Sequence, residues 1–331
     1  MREVNFKIAC GATNYFAVAH TLPDRCKLSQ DIVALLDGFT DVKLITPTDI
    51  IDVITNAPTL EDAIAALLQA APPSSVKVVF VRTMSLLIDR QSLVTAAQKA
   101  GYTNIEAIEL ASLSTSYKIL NLPLNCAVGE HVLVVTGLEF TFPWYKCYVH
   151  VIRKCENAWQ LVGVGLSPLA ALAQYPSARN YVVYEGTTEV DKAVVVQFFG
   201  DRNLHFSSMM KSDFYIKYIW NRINNGNLNG YEVLPSFLFD LHIKVGDRCD
   251  RTALTDQVPP FTITKVIDVG DAPTVEIHVD RVGQGMLVKT FKFKSAAFRT
   301  VLITLNVDKT LLPQVTLKTI ATRLSVVEGN F

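Results

Sequence analysis

The sequence lacks an excess of charge of either sign: 31 basic and 31 acidic residues cancel. That excludes a global electrostatic attraction for nucleic acid or anionic lipid, which needs surplus cations. Long apolar runs are also missing. Val132 to Val135 and Ala193 to Val196 are strand-length or shorter, far below the roughly 20 residues that span a bilayer. No membrane segment is expected. Arg2, Glu3 and Lys7 precede any apolar stretch and no signal-peptide core follows, so a cytoplasmic location is expected. The 6 cysteines (Cys10, Cys26, Cys126, Cys147, Cys155 and Cys249) form no C-x-x-C pair. They read as reduced, partly buried thiols, and no His or Cys pair has the spacing of a zinc site.

Residues that could carry chemistry have simpler readings. Glu61-Asp62 reads as a helix N-terminus and Glu106…Glu109 as a strand-to-helix edge, ahead of acid–base catalysis. Ser112, Ser114 and Ser116 lack the glycines of a nucleophile elbow. The histidines (His20, His131, His150, His205, His242, His278) fall mostly inside strand patterns and read as structural.

What is present is a core. Half of the 331 residues are hydrophobic and 19% are charged, the composition of a globular chain long enough for two domains. Two strands are predicted at 5–10 and 15–20, joined by Gly11 to Asn14. A third lies near Val42 to Ile45. Thr59 is a helix N-cap with acids behind it, and Pro72-Pro73 stops that helix. The nearly continuous apolar run 76–82 reads as a buried strand. Helices at 89–100 and 110–120 flank a strand at 104–108. The order then repeats: strands at 131–136, 145–152, 158–164 and 181–184, helices at 168–174 and 188–199, a strand near Leu204 and a helix at 208–223. Two copies of one mixed-sheet unit imply a duplicated α/β fold with a cleft between the halves.

Asn224 to Gly230 is turn-rich and uncharged, the clearest linker. Beyond it, segments 261–267, 274–280, 288–293, 301–307 and 315–320 alternate apolar with polar, the signature of an antiparallel sandwich. Domains are therefore expected at 1–226, with halves 1–125 and 126–226, and at 227–331.

This plan resembles the seventy-kilodalton heat-shock chaperones. Val78 to Arg82, Asp89 to Leu93 and Ala96 to Gly101 resemble the family's strand–loop–helix segment ending in A-x-x-A-G. Ile108 to Ala111 with Tyr117 resembles the next segment, Gln197-Phe-Phe-Gly200 an aromatic helix end, and Val258-Pro-Pro the start of the peptide-binding sandwich. The resemblance implies a duplicated actin-like α/β core with reduced outer subdomains, followed by an all-β sandwich, with no helical lid. It also places degenerate nucleotide loops. The first phosphate hairpin falls on Ala9 to Tyr15, where Gly11 and Thr13 survive beside Asn14 but the metal-organising acid is Ala9. The second falls on Thr136 to Pro143, keeping Thr141 and Phe142 while Leu138, Glu139 and Phe140 replace its glycines. The adenosine loop falls on Glu185 to Asp191, keeping Gly186 and Thr187, with Glu185 and Glu189 replacing a glycine and an arginine. Phosphoryl transfer depends on positioning and on cations around the phosphates. The expectation is therefore no ATPase activity, no metal and no ATP cofactor. Glu109 matches the family's switch glutamate, but the hinge proline is Leu110. Phe140 to Trp144 reads either as filling the vacant cleft or as an exposed partner contact.

The functional expectation is a non-catalytic chaperone scaffold or cochaperone, most like the atypical ribosome-associated branch, with a J-domain cochaperone, the ribosome and possible nascent-chain contact as partners. An ATP-independent peptide holdase working through the C-terminal sandwich is the alternative, although charged residues between Lys244 and Arg251 weaken an apolar groove there. A residual sugar-kinase-like enzyme is a third reading, opposed by the missing acids.

Overall fold

The computed structural model describes residues 31–323, except 84–86, 142–143, 185–192, 194–195, 198, 201, 208–211, 225–227, 255–256, 282–283 and 295–296. The expected strands at 5–10 and 15–20 lie outside the described residues, as does most of the expected helix at 188–199.

The first sheet contains β1 (Val33–Asp37), β2 (Asp41–Ile45), β3 (Ile50–Ile54), β4 (Val78–Thr83) and β5 (Ile105–Glu109), in the order β3-β2-β1-β4-β5. Three helices accompany it: α1 (Leu60–Ala70), α2 (Leu87–Lys99) and α3 (Leu110–Ile119). Strand β1 pairs antiparallel with β2 and parallel with β4. Thr59 caps α1, its hydroxyl accepting from Asp62 N at 3.1 Å and donating to Asp62 Oδ2 at 2.8 Å. At the other end Tyr102 Oη donates to Ala71 O at 2.7 Å, which satisfies one carbonyl where the helix stops before the prolines.

The second sheet contains β6 (His131–Thr141), β7 (Trp144–Lys154), β8 (Trp159–Leu166), β9 (Asn180–Tyr184), β10 (Asn203–Ser207) and β11 (Val233–Leu234), in the order β10-β9-β6-β7-β8-β11. Apart from the added β11, this is the strand order of the first sheet. Its helices are α4 (Pro168–Gln174) and α5 (Ser212–Ile223). The C-terminal region forms two sheets. One is β13-β12-β15-β16, built from β12 (Asp240–Val245), β13 (Arg248–Thr252), β15 (Thr274–Arg281) and β16 (Gln284–Lys292). The other is β14-β17-β18, built from β14 (Phe261–Gly270), β17 (Phe298–Val307) and β18 (Pro313–Arg323).

The fold class expected from sequence needs correction. The chain is mostly β, with four small sheets and few helices, and is not an α/β actin-like core followed by a sandwich. Two local features drive the difference. Val33–Asp37 and Ile50–Ile54, given no element in the sequence reading, are strands that lengthen the β1–β2–β3 meander. The segment expected to leave β6 as a phosphate loop stays in the ladder: β6 and β7 pair from His131↔Arg153 to Thr141↔Trp144, with a bulge at Thr136. The Thr136 hydroxyl donates to Tyr148 O at 3.2 Å across that bulge.

The first sheet is covered on both faces. One face (Ala34, Leu36, Leu44, Val79, Val81) shares a continuous core with α1, α2 and both C-terminal sheets, through Ile277, Val301, Ile303 and Leu311. The other face (Val33, Leu35, Phe80) packs on Leu113 and Tyr117 of α3 and on Phe214 and Tyr218 of α5. Helix α3 continues into the second sheet, where Ile119 joins Val132, Val134 and Leu161. Each fully buried leucine or phenylalanine in these layers contributes roughly 1.5–3 kcal/mol.

Candidate functional site at the junction of the first and C-terminal sheets

The turn between β17 and β18 reaches back to the exposed edge of β5. Asp308 shapes it: Thr310 N donates to Asp308 Oδ1 at 2.8 Å, the Thr310 hydroxyl bonds the same oxygen, and Gln314 Nε2 donates to Oδ2 at 3.2 Å. Leu311 sits at φ 58, a left-handed conformation that an L-residue adopts only under constraint. Burial of its side chain in the shared core, at 5% exposure, offsets that strain.

The turn's backbone extends the sheet. Ala107 N, on β5, donates to Lys309 O at 2.9 Å. Lys309 Nζ donates to Glu106 Oε1 at 2.8 Å, and Arg222 Nη2, from α5, donates to Glu106 Oε2 at 3.4 Å. Arg222 Nη1 adds a 3.4 Å bond to Ala107 O, while Arg90 Nη1 of α2 donates to Leu311 O at 3.4 Å. Glu106 is buried at 8% exposure, and both its oxygens are engaged. A buried carboxylate between two cations is stable only because each charge has a partner.

Electrostatics around Arg222 follow from that burial. Burial works against the guanidinium, but Tyr218 and Glu106 outweigh it and hold its pKa above the ordinary value. Burial raises the Tyr218 phenol and the Glu232 carboxyl, with Arg222 opposing both. The cluster has the chemistry of a clasp: its charges neutralise one another across β5, α5 and the C-terminal turn.

A second set of polar ties holds α3 against the second sheet. Thr115 Oγ1 lies 3.2 Å from His150 Nδ1 on β7. Ser116 Oγ donates to Ser112 O at 2.8 Å and accepts from Val233 N at 2.9 Å. Lys118 Nζ donates to Val135 O at 3.0 Å, and burial lowers its pKa to about 8. The serines of α3 thus serve the helix and its neighbours.

Of the degenerate nucleotide-loop positions, Gly11, Thr13, Asn14, Gly186 and Thr187 lie outside the described residues, as do Ala9, Glu185 and Glu189. Thr141 ends β6 with its Cα opposite Trp144. Glu109 is the N-cap residue of α3, and its carboxylate accepts from the Ser112 hydroxyl at 2.9 Å. Sequence reasoning placed Glu106 at a strand edge but missed its partners. They lie 116 and 203 residues away, with no local signal to connect them. Among the described residues, no group of three or more His, Cys, Asp or Glu side chains is placed to hold a metal ion, and no helix is long and apolar enough to cross a membrane. Neither the protein-family models nor the curated proteins include a match to this chain.

Proposed function

We propose that this chain is a non-catalytic binding scaffold, a cochaperone of the kind that the heat-shock-chaperone resemblance implies, working in the cytoplasm with a J-domain protein at the ribosome. The observation that supports the scaffold reading is the clasp at Glu106. A chaperone that cycles through nucleotide states must let its C-terminal sheets move relative to the rest. Here the β17–β18 turn is tied to β5 by a backbone bond and the Lys309–Glu106 ion pair, with Arg222 of α5 paired to the same carboxylate, over a shared apolar core. Such an arrangement favours fixed surfaces for partners over a cycle. The partner identities rest on the family resemblance alone.

The test is sedimentation of the tagged chain from a lysate of its own source, with mass spectrometry of the bound proteins. Co-migration with ribosomes and a J-domain protein is expected. Migration as a free monomer away from both overturns the reading.

One observation favours the alternative holdase reading. A groove of about 400 Å³ lies between α2 and β16, lined by Ile88, Met286, Leu287 and Leu312, and Leu287 is 51% exposed. Suppression of aggregation of a denatured client by the whole chain, lost in Leu287→Asp, supports that reading; no suppression removes it.

A further inference from the structure

Strand β13 ends its sheet, with β12 on one side and no strand on the other among the described residues. Gly246 and Asp247 make the turn between the two strands, and the register closes on Val245↔Arg248. In a hairpin with a two-residue turn the closing pair is hydrogen-bonded, and bonded and non-bonded pairs then alternate. Arg248, Asp250 and Thr252 therefore bond β12, while Cys249 and Arg251 aim their N–H and C=O groups at the open side. Asp247, Arg248, Cys249, Asp250 and Arg251 are all exposed. Such an edge is a template for a further strand.

Charges on an edge strand commonly keep other chains away. The order of the charges on β13 works differently. Residues 247–251 read Asp-Arg-Cys-Asp-Arg. Laid antiparallel against a second copy of itself, with Cys249 opposite Cys249, this segment sets Asp247 across from Arg251 and Arg248 across from Asp250, each twice by symmetry. The backbone groups match as well, because Cys249 is one of the residues whose N–H and C=O face outward. A register shifted so that residue 250 or 248 lies on the axis instead sets Asp250 against Asp250 or Arg248 against Arg248. Opposite charges directly across two strands stabilise the pairing and like charges destabilise it, so one register is favoured and its neighbours are penalised.

The contacts these side chains already make leave room for a partner. Lys265 Nζ of β14 donates to Asp250 Oδ2 at 2.7 Å, and a carboxylate has a second oxygen to offer. Arg248 Nη2 donates to Asp268 O at 2.9 Å, which uses one of five guanidinium donors. We propose that two copies of this chain associate through β13, joining their four-stranded sheets edge to edge about a two-fold axis at Cys249. The contact is short and polar, so the association is weak and reversible. It goes beyond the scaffold reading and does not depend on it.

The test is sedimentation velocity of the full chain over a range of concentrations. A monomer–dimer equilibrium is expected, with a Kd on the order of tens of micromolar. It should weaken at least about threefold between low and high salt, because exposed ion pairs are screened. Asp250→Arg and Arg248→Asp each set like charges across the axis, so each variant alone should associate at least about tenfold more weakly. Mixed in equal amounts, the two variants should recover the dimer, because each altered side chain then meets the opposite charge. A short bis-maleimide, which adds to two thiols, should link the parent chain into dimers through Cys249. Cys249→Ser should lose that link and still sediment as a dimer. This arm changes no charge, so it does not depend on the folding of the charge variants. A parent chain that stays monomeric throughout overturns the proposal, as does a dimer indifferent to Asp250→Arg. A mixture no stronger than either variant alone, or a cross-link that survives Cys249→Ser, overturns it equally.

Discussion

The first and second sheets share a strand order but differ in what covers them. In the first, both faces are buried, one by the C-terminal sheets with α1 and α2, the other by α3 and α5. Its charged edge residue, Glu106, is neutralised by groups from two distant parts of the chain. The second sheet packs mainly against its own short helix α4 and the end of α3, and it receives the part-buried Lys118 of α3, whose amine donates to the Val135 carbonyl. One topology thus serves as the hub of the molecule in one case and as an appended layer in the other. Strand order alone does not determine which elements share a core.

Removing the centre of the hub is expected to have the largest effect. Phe80, fully buried in β4, packs under α3 and α5 and lies 5.8 Å from the Arg222 guanidinium. Phe80→Ala should cost about 3–5 kcal/mol, read as a lower urea midpoint. Amide exchange should accelerate in β17 and β18 as well as in β4. Acceleration confined to the first sheet would show that the C-terminal sheets unfold independently.

Next comes the clasp. Glu106→Gln breaks the ion pair of the buried Arg222 guanidinium and leaves it to the attraction of Glu232, so a loss of about 3 kcal/mol is expected. Limited proteolysis should then cut within 308–312 sooner than in the parent chain. Unchanged stability and proteolysis would mean that the ion pairs are incidental to the junction.

The smallest effect belongs to the second sheet and has the opposite sign. Burial lowers the Lys118 pKa to about 8 from 10.5, so the folded state binds this proton more weakly than the unfolded chain does. Stability therefore rises with pH between those two values. Lys118→Met should raise stability by about 2 kcal/mol at pH 7, after allowing for the lost bond to Val135 O. The advantage should be full below pH 8 and fade toward pH 10.5. Stability curves of the two proteins that stay parallel across that window would show that Lys118 is charged in both states.

Local signals explain which elements could be read from sequence. Thr59 with Glu61 and Asp62 marks the start of α1 by capping chemistry alone, and Ser167-Pro168 does the same for α4, where the Ser167 hydroxyl accepts from Ala170 N. The C-terminal strands announced themselves by period-two alternation, which sheets with one solvated face impose. Strand β1 did not: Val33-Ala-Leu-Leu is buried on both faces, so it has no alternation, and four apolar residues are too few to separate strand from helix. The 137–141 stretch misled for another reason. Its likeness to a phosphate hairpin suggested a loop, while its cross-strand partners on β7 keep it in the ladder. The clasp was hidden because it joins residues whose proximity exists only after α5 and the β17–β18 turn have packed.

The bond from Ala107 to Lys309 also bears on the order of assembly. Glu106 and Lys309 are separated by 203 positions, so the outer edge of the first sheet stays unsealed until the chain has closed a loop of that length. Closing it costs only a logarithmic increment in entropy. Contacts at such separation do slow folding, however, and leave unpaired edges exposed in the meantime. While that closure is pending, β5 is an open strand edge, and pairing with another chain is easiest at that stage.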